Sequence, residues 1–149
     1  MFHEPDGSAD LLHEWRWLLG GHARLVGWTA SGDLFVTDVR GAVLHLDTGA
    51  GQFEEVAPNA VDFHITLRDE SQAEALLLLP VVRAFEQRHG PLGSGECRGF
   101  TTLPVFGGTY TTENRYRLSI AEHAAFTGNV HRQIRDLPEG AQVQLKIVP

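Results

Sequence analysis

The chain contains very little cysteine and no long apolar run. Its 149 residues include a single cysteine, Cys97. No disulfide can therefore form within the chain, and a reducing compartment is the simplest expectation. The longest apolar run, residues 75–82, is interrupted by Pro80 and is far too short to span a bilayer. The first residues are acidic and lack the basic and apolar regions of a signal peptide. We therefore expect a cytoplasmic protein.

Basic residues are also scarce. The chain has 12 lysines and arginines against 19 aspartates and glutamates, which gives a formal charge of −7. A nucleic-acid-binding protein normally needs a basic surface that displaces counterions from phosphates, and anionic membranes attract basic proteins. The charge therefore argues against nucleic-acid and membrane partners. It suits a protein that meets a basic partner, or one whose mild acidity only keeps it soluble.

Known catalytic and metal-binding motifs are missing as well. His123 and His131 are eight residues apart, whereas two ligands of one ion on a helix are normally three or four apart. Arg98 could lower the pKa of the neighbouring Cys97, but no nucleophile signature surrounds this cysteine. Residues 107–110 lack the Gly-Lys-Ser/Thr of a phosphate loop. We expect no enzymatic activity, no metal and no cofactor.

The hydrophobic pattern predicts one α+β domain over residues 1–149, because a chain of this length fits a single domain. An amphipathic helix is predicted over residues 10–19, on which Trp15 and Trp17 would lie on different faces. An antiparallel meander of about four strands follows over residues 24–56, where short apolar runs alternate with glycine-containing turns. Aspartates at the strand ends suit ordinary turn chemistry.

Helices packed on the sheet are predicted for the middle of the chain. Residues 59–68 are predicted to be a helix, although their strict alternation would equally suit a strand. Residues 70–88 are predicted to be helical, with Pro80 kinking or splitting the helix. Residues 92–113, rich in glycine, threonine and proline, are predicted to form a long ordered loop.

The end of the chain is predicted to contain a final helix over residues 122–135 and a closing strand over residues 143–148. The strand prediction rests on alternating apolar residues. The apolar residues of the helix are expected to face the core: Ala121, Ala125, Phe126, Val130 and Ile134.

Glycine, proline and histidine are concentrated in the last third of the chain, and long loops often carry function. The candidate binding residues there are Cys97, Phe100, Tyr110, His123, His131, Arg132 and Arg135. One interpretation is a small-ligand or enzymatic pocket between residues 95–110 and the helix that carries the two histidines. The other is that the same residues are scaffold, with buried histidines bonded to the backbone.

The same region carries a family resemblance. Pro104-Val105-Phe106-Gly107-Gly108-Thr109-Tyr110 is followed by Asn114, His123 and Gly128-x-x-His131-x-Gln133-Ile134-x-Asp136-Leu137-Pro138-x-Gly140. This pattern resembles the C-terminal domain of type VI secretion DNase immunity proteins. Trp15-Arg16-Trp17-Leu18, Gly32-Asp33-Leu34-Phe35 and Leu46-Asp47-Thr48-Gly49 fit the pattern too, so that the resemblance spans about residues 10 to 148.

The resemblance implies a non-enzymatic cytosolic immunity protein that binds a cognate toxin and neutralises it by occlusion. A secreted nuclease effector is the expected target. In general character the family is similar to the SMI1/KNR4-like (SUKH) immunity proteins. The family domain often follows an N-terminal domain related to glutamyl-tRNA amidotransferase subunits, which we expect to be absent here. No catalytic residue is carried over from the family.

Overall fold

A five-stranded antiparallel sheet organises the fold. The computed structural model describes residues 2–5, 7 and 10–138. The strands are β1 (Phe2–His3), β2 (Arg24–Thr29), β3 (Leu34–Thr37), β4 (Val43–Asp47) and β5 (Gln52–Ala57), and each pairs with the next along the chain. The predicted four-stranded meander is confirmed as β2 to β5. The two-residue strand β1 was not predicted, because it is too short to show alternation.

The described residues also form five α-helices and a second, two-stranded sheet. The helices are α1 (Arg16–Leu19), α2 (Ala60–Arg68), α3 (Glu70–Leu77), α4 (Leu79–His89) and α5 (Ile120–Ile134). The second sheet pairs β6 (Glu96–Phe100) with β7 (Arg115–Ser119). The predicted α+β class and the packing of helices on the sheet are confirmed.

The two faces of the five-stranded sheet carry separate apolar cores. In the register of β3 with β4, Phe35 lies opposite His45 and Leu34 lies opposite Leu46. Alternation therefore directs Phe35 and Leu34 to opposite faces. Phe35 packs with Phe63 of α2 and Leu77 of α3, whereas Leu34 and Leu46 pack with Trp15 and Ala124. The sheet is thus enclosed between α2 and α3 on one side and the N-terminal turn and α5 on the other.

Local signals set the helix boundaries in the middle of the chain. Asn59 caps α2 by accepting a hydrogen bond from Asp62 N at 2.8 Å, so residues 59–68 are a helix and not the alternative strand. Leu78 takes a left-handed conformation with φ of 53° and ends α3. Pro80 lies in the first turn of α4, where its missing N–H costs nothing. Of the two predicted effects of Pro80, the split is confirmed.

The prediction of a helix over residues 10–19 is wrong in extent. A single 3-10 turn, His13–Trp15, leads into the one-turn helix α1. Trp15 is fully buried and its ring stacks on that of Trp17, with the centroids 6.1 Å apart. The two rings meet because the helix type changes between them, so the geometry of one regular helix does not apply.

The prediction of a long ordered loop over residues 92–113 is wrong in extent, because its first part contains β6. This strand is buried from Cys97 to Phe100 but includes Arg98 and Gly99, so it shows neither alternation nor high strand propensity. Its partner β7 was not predicted either. The connection that remains, residues 101–114, is ordered by the Asn114 side chain, which bonds Thr102 N, Thr102 O and Thr109 O at 2.7–2.8 Å.

The final helix is confirmed, but its predicted core face is largely wrong. Ala121, Ala125 and Phe126 are exposed, and the buried residues are Ile120, His123, Ala124, Thr127, Gly128, Val130 and His131. Of the predicted core residues, Val130 is buried and Ile134 is half-buried. The prediction failed because polar side chains are buried where they find partners, which an apolar pattern does not reveal. The predicted strand over residues 143–148 lies outside the described residues.

Close packing of α5 on the N-terminal turn predicts the effect of one substitution. A Cβ at Gly128 would lie 2.7 Å from the backbone oxygen of Glu14, and Gly128 O accepts a hydrogen bond from the indole of Trp17 at 3.1 Å. Gly128→Ala should lower the free energy of unfolding by about 2 kcal/mol through overpacking, even though alanine favours helices by about 1 kcal/mol. Urea denaturation measures the change.

The exposed position Ala125 supplies the control for helix propensity. Ala125→Gly should cost only about 1 kcal/mol. A Gly128→Ala protein that is more stable than the unmodified protein would contradict the close packing described here.

Candidate functional site

Two histidines of α5 reach the same residue of the β4–β5 turn. His123 Nε2 lies 2.8 Å from Thr48 Oγ1, and His131 Nε2 lies 3.0 Å from Thr48 O. The Thr48 hydroxyl gives its single proton to Gly32 O at 2.9 Å. His123 must therefore donate from Nε2, and His131 must do so as well because a carbonyl oxygen only accepts. The eight-residue spacing brings both imidazoles to Thr48 as hydrogen-bond donors.

Two glycines in the sheet turns make room for these imidazoles. Gly32 has φ of 89° and Gly51 has φ of 72°, a region that L-residues with a side chain rarely adopt. A Cβ at Gly32 would lie 2.5 Å from His123 Nε2, and a Cβ at Gly51 would fall on the ring of His131. Each glycine thus allows the turn its backbone conformation and leaves the space that one imidazole occupies.

Burial keeps both imidazoles neutral. Desolvation, assisted by the nearby positive charge of Arg115, lowers the pKa of His123 to about 4. Desolvation also lowers the pKa of His131, against the opposing effect of its hydrogen bonds to the turn backbone. A neutral imidazole that donates from Nε2 cannot use that nitrogen as a metal ligand. Within the described residues, no group of three or more His, Cys, Asp or Glu side chains is arranged to hold a metal ion.

A buried arginine joins the second sheet to the first. Arg115 Nη1 donates to Ser31 O at 2.9 Å and to Arg98 O at 3.1 Å, and its Nε donates to Tyr110 O at 3.3 Å. The guanidinium lies over the ring of Phe100, 3.8 Å from the centroid. Burial lowers the pKa of Arg115 to about 10, although the charges of nearby aspartates oppose this shift. Arg115 therefore remains a cation that is held mainly by carbonyl oxygens and an aromatic face.

The other predicted site residues fall into two groups. Cys97 is fully buried, and burial raises the pKa of its thiol to about 12, so that it stays protonated at neutral pH. Arg132 and Arg135 are half-exposed near the end of α5. Arg132 reaches Glu14 at 3.5 Å, and Arg135 lies over the ring of Trp17.

The structure therefore brings together only part of the predicted site. Phe100, Tyr110, His123 and His131 surround the β4–β5 turn, whereas Cys97 and the two arginines lie in other contacts. The binding roles of all seven residues stay predictions.

Acidic residues that were expected to serve only as turn residues form part of this site. Asp47 Oδ1 accepts from Gly49 N and Ala50 N, both at 3.0 Å, which is the expected turn chemistry. Its Oδ2 accepts from the hydroxyl of Tyr110 at 2.7 Å. Asp33 Oδ2 lies 2.8 Å from His45 Nε2. The resemblance includes Asp33 and Asp47, but no sequence signal singled out His45. Pairing of β4 with β3 brings His45 next to Asp33.

A shallow groove opens beside this acidic group. Its volume is about 220 Å³. It is lined by His45, Asp47, Gln52, Phe53 and Glu54. The residues of β5 did not figure among the predicted site residues.

Two larger cavities lie elsewhere. One of about 540 Å³ is bordered by Trp28, Leu92 and Ile120, and one of about 700 Å³ is bordered by Arg16, Arg24 and other residues. Neither of them is lined by His123 or His131. The predicted ligand pocket between residues 95–110 and the two histidines is thus not one of these three cavities.

Comparison with known proteins identifies the family. The family model described as "T6SS immunity protein Tdi1, C-terminal" matches residues 57–131, which is half of the chain. The chain belongs to this family of type VI secretion immunity proteins. The match is narrower than the resemblance over residues 10 to 148, and it starts at the last residue of β5 and ends at His131.

A solved structure shows the same fold. The protein Atu4351 from Agrobacterium tumefaciens superposes with a TM-score of 0.56 at 15% sequence identity, over 77% of this chain and 61% of that chain. The chain thus spans less than two thirds of the Agrobacterium protein. No curated protein matches the chain.

The matched half of this immunity-protein domain depends on the unmatched half. His123, His131 and Arg115 lie within residues 57–131. Thr48, which both imidazoles bond, and Ser31, to which Arg115 donates, lie before residue 57. None of the helices in the described part of the chain is both long and apolar enough to cross a membrane.

The neutral state of His123 predicts how stability depends on pH. The unfolded state takes up a proton near pH 6.5, whereas the folded state does so only near pH 4. Between these values the unfolded state binds more protons, so stability falls as the pH falls. We expect this one group to remove about 2 kcal/mol of unfolding free energy between pH 7 and pH 5.

His123→Gln tests this prediction by removing the titrating group while keeping a donor for Thr48. The variant should lose about 2 kcal/mol less than the unmodified protein over the same pH range. His22→Gln, at an exposed position, is the control and should leave the pH dependence unchanged. Urea denaturation at several pH values gives the measurement. An unchanged pH dependence in His123→Gln would show that the imidazole is not buried in neutral form.

Proposed function

We propose that this protein is a non-enzymatic immunity protein that binds a type VI secretion toxin in the cytoplasm and neutralises it by covering a surface the toxin needs. Membership of the immunity-protein family, shown by the match over residues 57–131, carries this proposal. The geometry of the site agrees with this proposal, because the histidines of the site serve the fold and leave the solvent-facing residues around them to contact a partner.

The residues best suited to catalysis are used within the fold. His123 and His131 both donate their Nε2 protons to Thr48, so neither is positioned as a free general base. The buried Cys97 thiol stays protonated, which removes its nucleophilic form. These side chains stabilise the arrangement of α5 on the sheet, and the solvent-facing residues around them are left to contact a partner.

The charge of the chain points to the chemistry of the partner. With a net charge of −7, the domain attracts a basic protein surface and repels nucleic acid. A nuclease must carry a basic surface to hold its substrate backbone. A secreted nuclease effector is therefore the target we propose, and occlusion of its basic surface by carboxylates is the proposed mechanism of inhibition.

A ligand-binding or enzymatic role for the same residues receives less support. That interpretation placed a pocket between residues 95–110 and the two histidines. In the structure, Phe100 packs on Arg115, and the imidazoles fill the space above Gly32 and Gly51. The side chains that were expected to line a pocket therefore occupy the space in which it was predicted.

Co-expression with the effector encoded beside the gene tests the proposed function. The two proteins should co-purify as a stable complex, and the isolated protein should block degradation of plasmid DNA by the effector. A strain that lacks the gene should lose viability when the effector enters it. Failure of the two proteins to associate, together with normal growth of the deletion strain, would contradict the proposal.

Electrostatic attraction between the partners predicts a salt dependence of association. The association rate constant should fall at least about tenfold between about 50 mM and about 500 mM NaCl, because screening removes long-range steering. The dissociation rate constant should change much less, since it reports contacts already formed. Stopped-flow mixing or surface plasmon resonance measures both constants. An association rate constant that is independent of salt would contradict a role for the acidic surface in steering.

A further inference from the structure

Apolar side chains are exposed on both sides of the β4–β5 turn. Phe53, in β5, is 45% exposed, and Val105, Phe106 and Tyr110 in the connection between β6 and β7 are 36–40% exposed. Single exposed apolar residues are common on soluble proteins, but aromatic residues grouped near one turn are typical of binding sites. These side chains are therefore candidates for contact with a partner.

Direct contacts join the two segments into one surface. Val105 N donates to Gly49 O at 3.2 Å, and the Tyr110 hydroxyl donates to Asp47 at 2.7 Å. Pro104 lies so close to Gly49 that a Cβ there would be 2.8 Å from its ring. We call the half-buried Asp47 together with the exposed residues of these segments the hairpin surface: Asp47, Gln52, Phe53, Glu54, Val105, Phe106 and Tyr110. Because both segments are fixed to the turn, this surface is preorganised.

The groove in the hairpin surface carries negative charge. Asp33 and His45 bond each other, so Asp47 and Glu54 supply the charge that remains. The Glu54 side chain is exposed and makes no hydrogen bond or ion pair with the side chain of another described residue, although its charge helps to raise the pKa of His45 across the strand pair. Its neighbour Glu55, in contrast, pairs with Arg40 at 2.8 Å. The Glu54 carboxylate is therefore available to a cation from outside.

The size of the groove limits what it can hold. Its volume of about 220 Å³ is below the roughly 300–1,000 Å³ of small-molecule sites, so a single side chain suits it better than a free ligand. In the register of β4 with β5, Glu54 pairs with His45 and Asp47 pairs with Gln52, so alternation places both carboxylates on one face of the sheet. Phe53 pairs with Leu46 on the other face and borders the groove at the edge of the sheet. Two carboxylates at one groove favour a cationic side chain.

The position of β5 also leaves room for a partner. Among the described residues, β5 has β4 as its single strand neighbour, and its first four residues are exposed. Charges on an edge strand also protect it from self-association. Because β5 still has one unpaired edge within the described part of the chain, a second copy of this chain is the alternative to a toxin as the occupant of this surface.

We propose that the hairpin surface is the toxin-binding surface, and that its groove receives an arginine or lysine side chain of the toxin between Asp47 and Glu54. This inference rests on the proposed function. Tyr110, whose hydroxyl bonds Asp47, and the exposed rings of Phe53 and Phe106 extend the proposed interface beyond that contact.

Other exposed features match a basic partner less well and supply the controls. The exposed apolar pair Val61 and Ile65 on α2 has no aromatic ring, and the cavity near Arg16 and Arg24 carries positive side chains. Glu70, at the start of α3, is an exposed carboxylate outside the hairpin surface.

Charge reversal and side-chain truncation test the surface in the full chain. We expect Glu54→Arg to raise the Kd for the effector encoded beside the gene by about 30-fold or more, mainly through slower association and lost pairing. Phe53→Ser should raise the Kd by about tenfold or more. The matched controls Glu70→Arg and Val61→Ser should change the Kd by less than about twofold. Circular dichroism and urea denaturation confirm that each variant is folded.

The outcomes separate failure of this inference from failure of the proposed function. If the unmodified protein binds the effector tightly and both hairpin variants bind equally well, the surface is wrong and the immunity function stands. If the unmodified protein does not bind the effector, both proposals fall. If Glu54→Arg changes only self-association in sedimentation experiments, a second copy occupies the surface and the inference is overturned.

Photo-crosslinking locates the contact independently of affinity. A photoreactive phenylalanine analogue in place of Phe53 or Phe106 should form a crosslink with the effector, and mass spectrometry should find it near an arginine or lysine. The same analogue in place of Val61 should not form a crosslink. Efficient crosslinking at position 61 with none at positions 53 and 106 would place the interface on α2 and overturn the inference.

Discussion

The structure depends on the hydrogen bonds that Thr48 receives from two histidines of the last helix. One imidazole bonds its hydroxyl and the other bonds its carbonyl oxygen. Through this residue α5 is fixed to the β4–β5 turn, and the Thr48 hydroxyl extends the connection to the β2–β3 turn at Gly32. Because all these groups are buried, breaking one bond leaves unsatisfied polar atoms, which is costly in an apolar interior. The network therefore specifies one position of α5 on the sheet.

This use of histidine explains how a family signature can look like an active site. Glycine, proline and histidine are grouped in the last third of the chain, as they often are around catalytic residues. Here His123 and His131 have a role in assembling the domain: their imidazoles are buried neutral donors, and Gly32 and Gly51, from much earlier in the chain, provide the turns and the space that they need. The charged and aromatic residues of the hairpin surface lie at the rim of this network.

Much of the fold could be predicted from local patterns, and the failures have a common cause. The meander and the split at Pro80 were predictable because alternation, turn glycines and a proline in the first helical turn act over a few residues. β6 was missed because Arg98 and Gly99 are buried there through contacts with other elements. The core face of α5 was misread because His123, Thr127 and His131 are buried by virtue of their hydrogen-bond partners. Local patterns report the character of side chains, but burial of a polar residue depends on the partner it meets.

The sequence by itself determined the family resemblance, the α+β class, the negative charge and the absence of a known catalytic motif, because each of these follows from composition or from short spacings. Only the tertiary structure decided that His123 and His131 meet at Thr48, 75 and 83 residues earlier in the chain. The tertiary structure also decided that Tyr110 bonds Asp47, beside the groove that Phe53 and Glu54 border. Contacts between residues so far apart are set by strand pairing and helix packing, which no local pattern records.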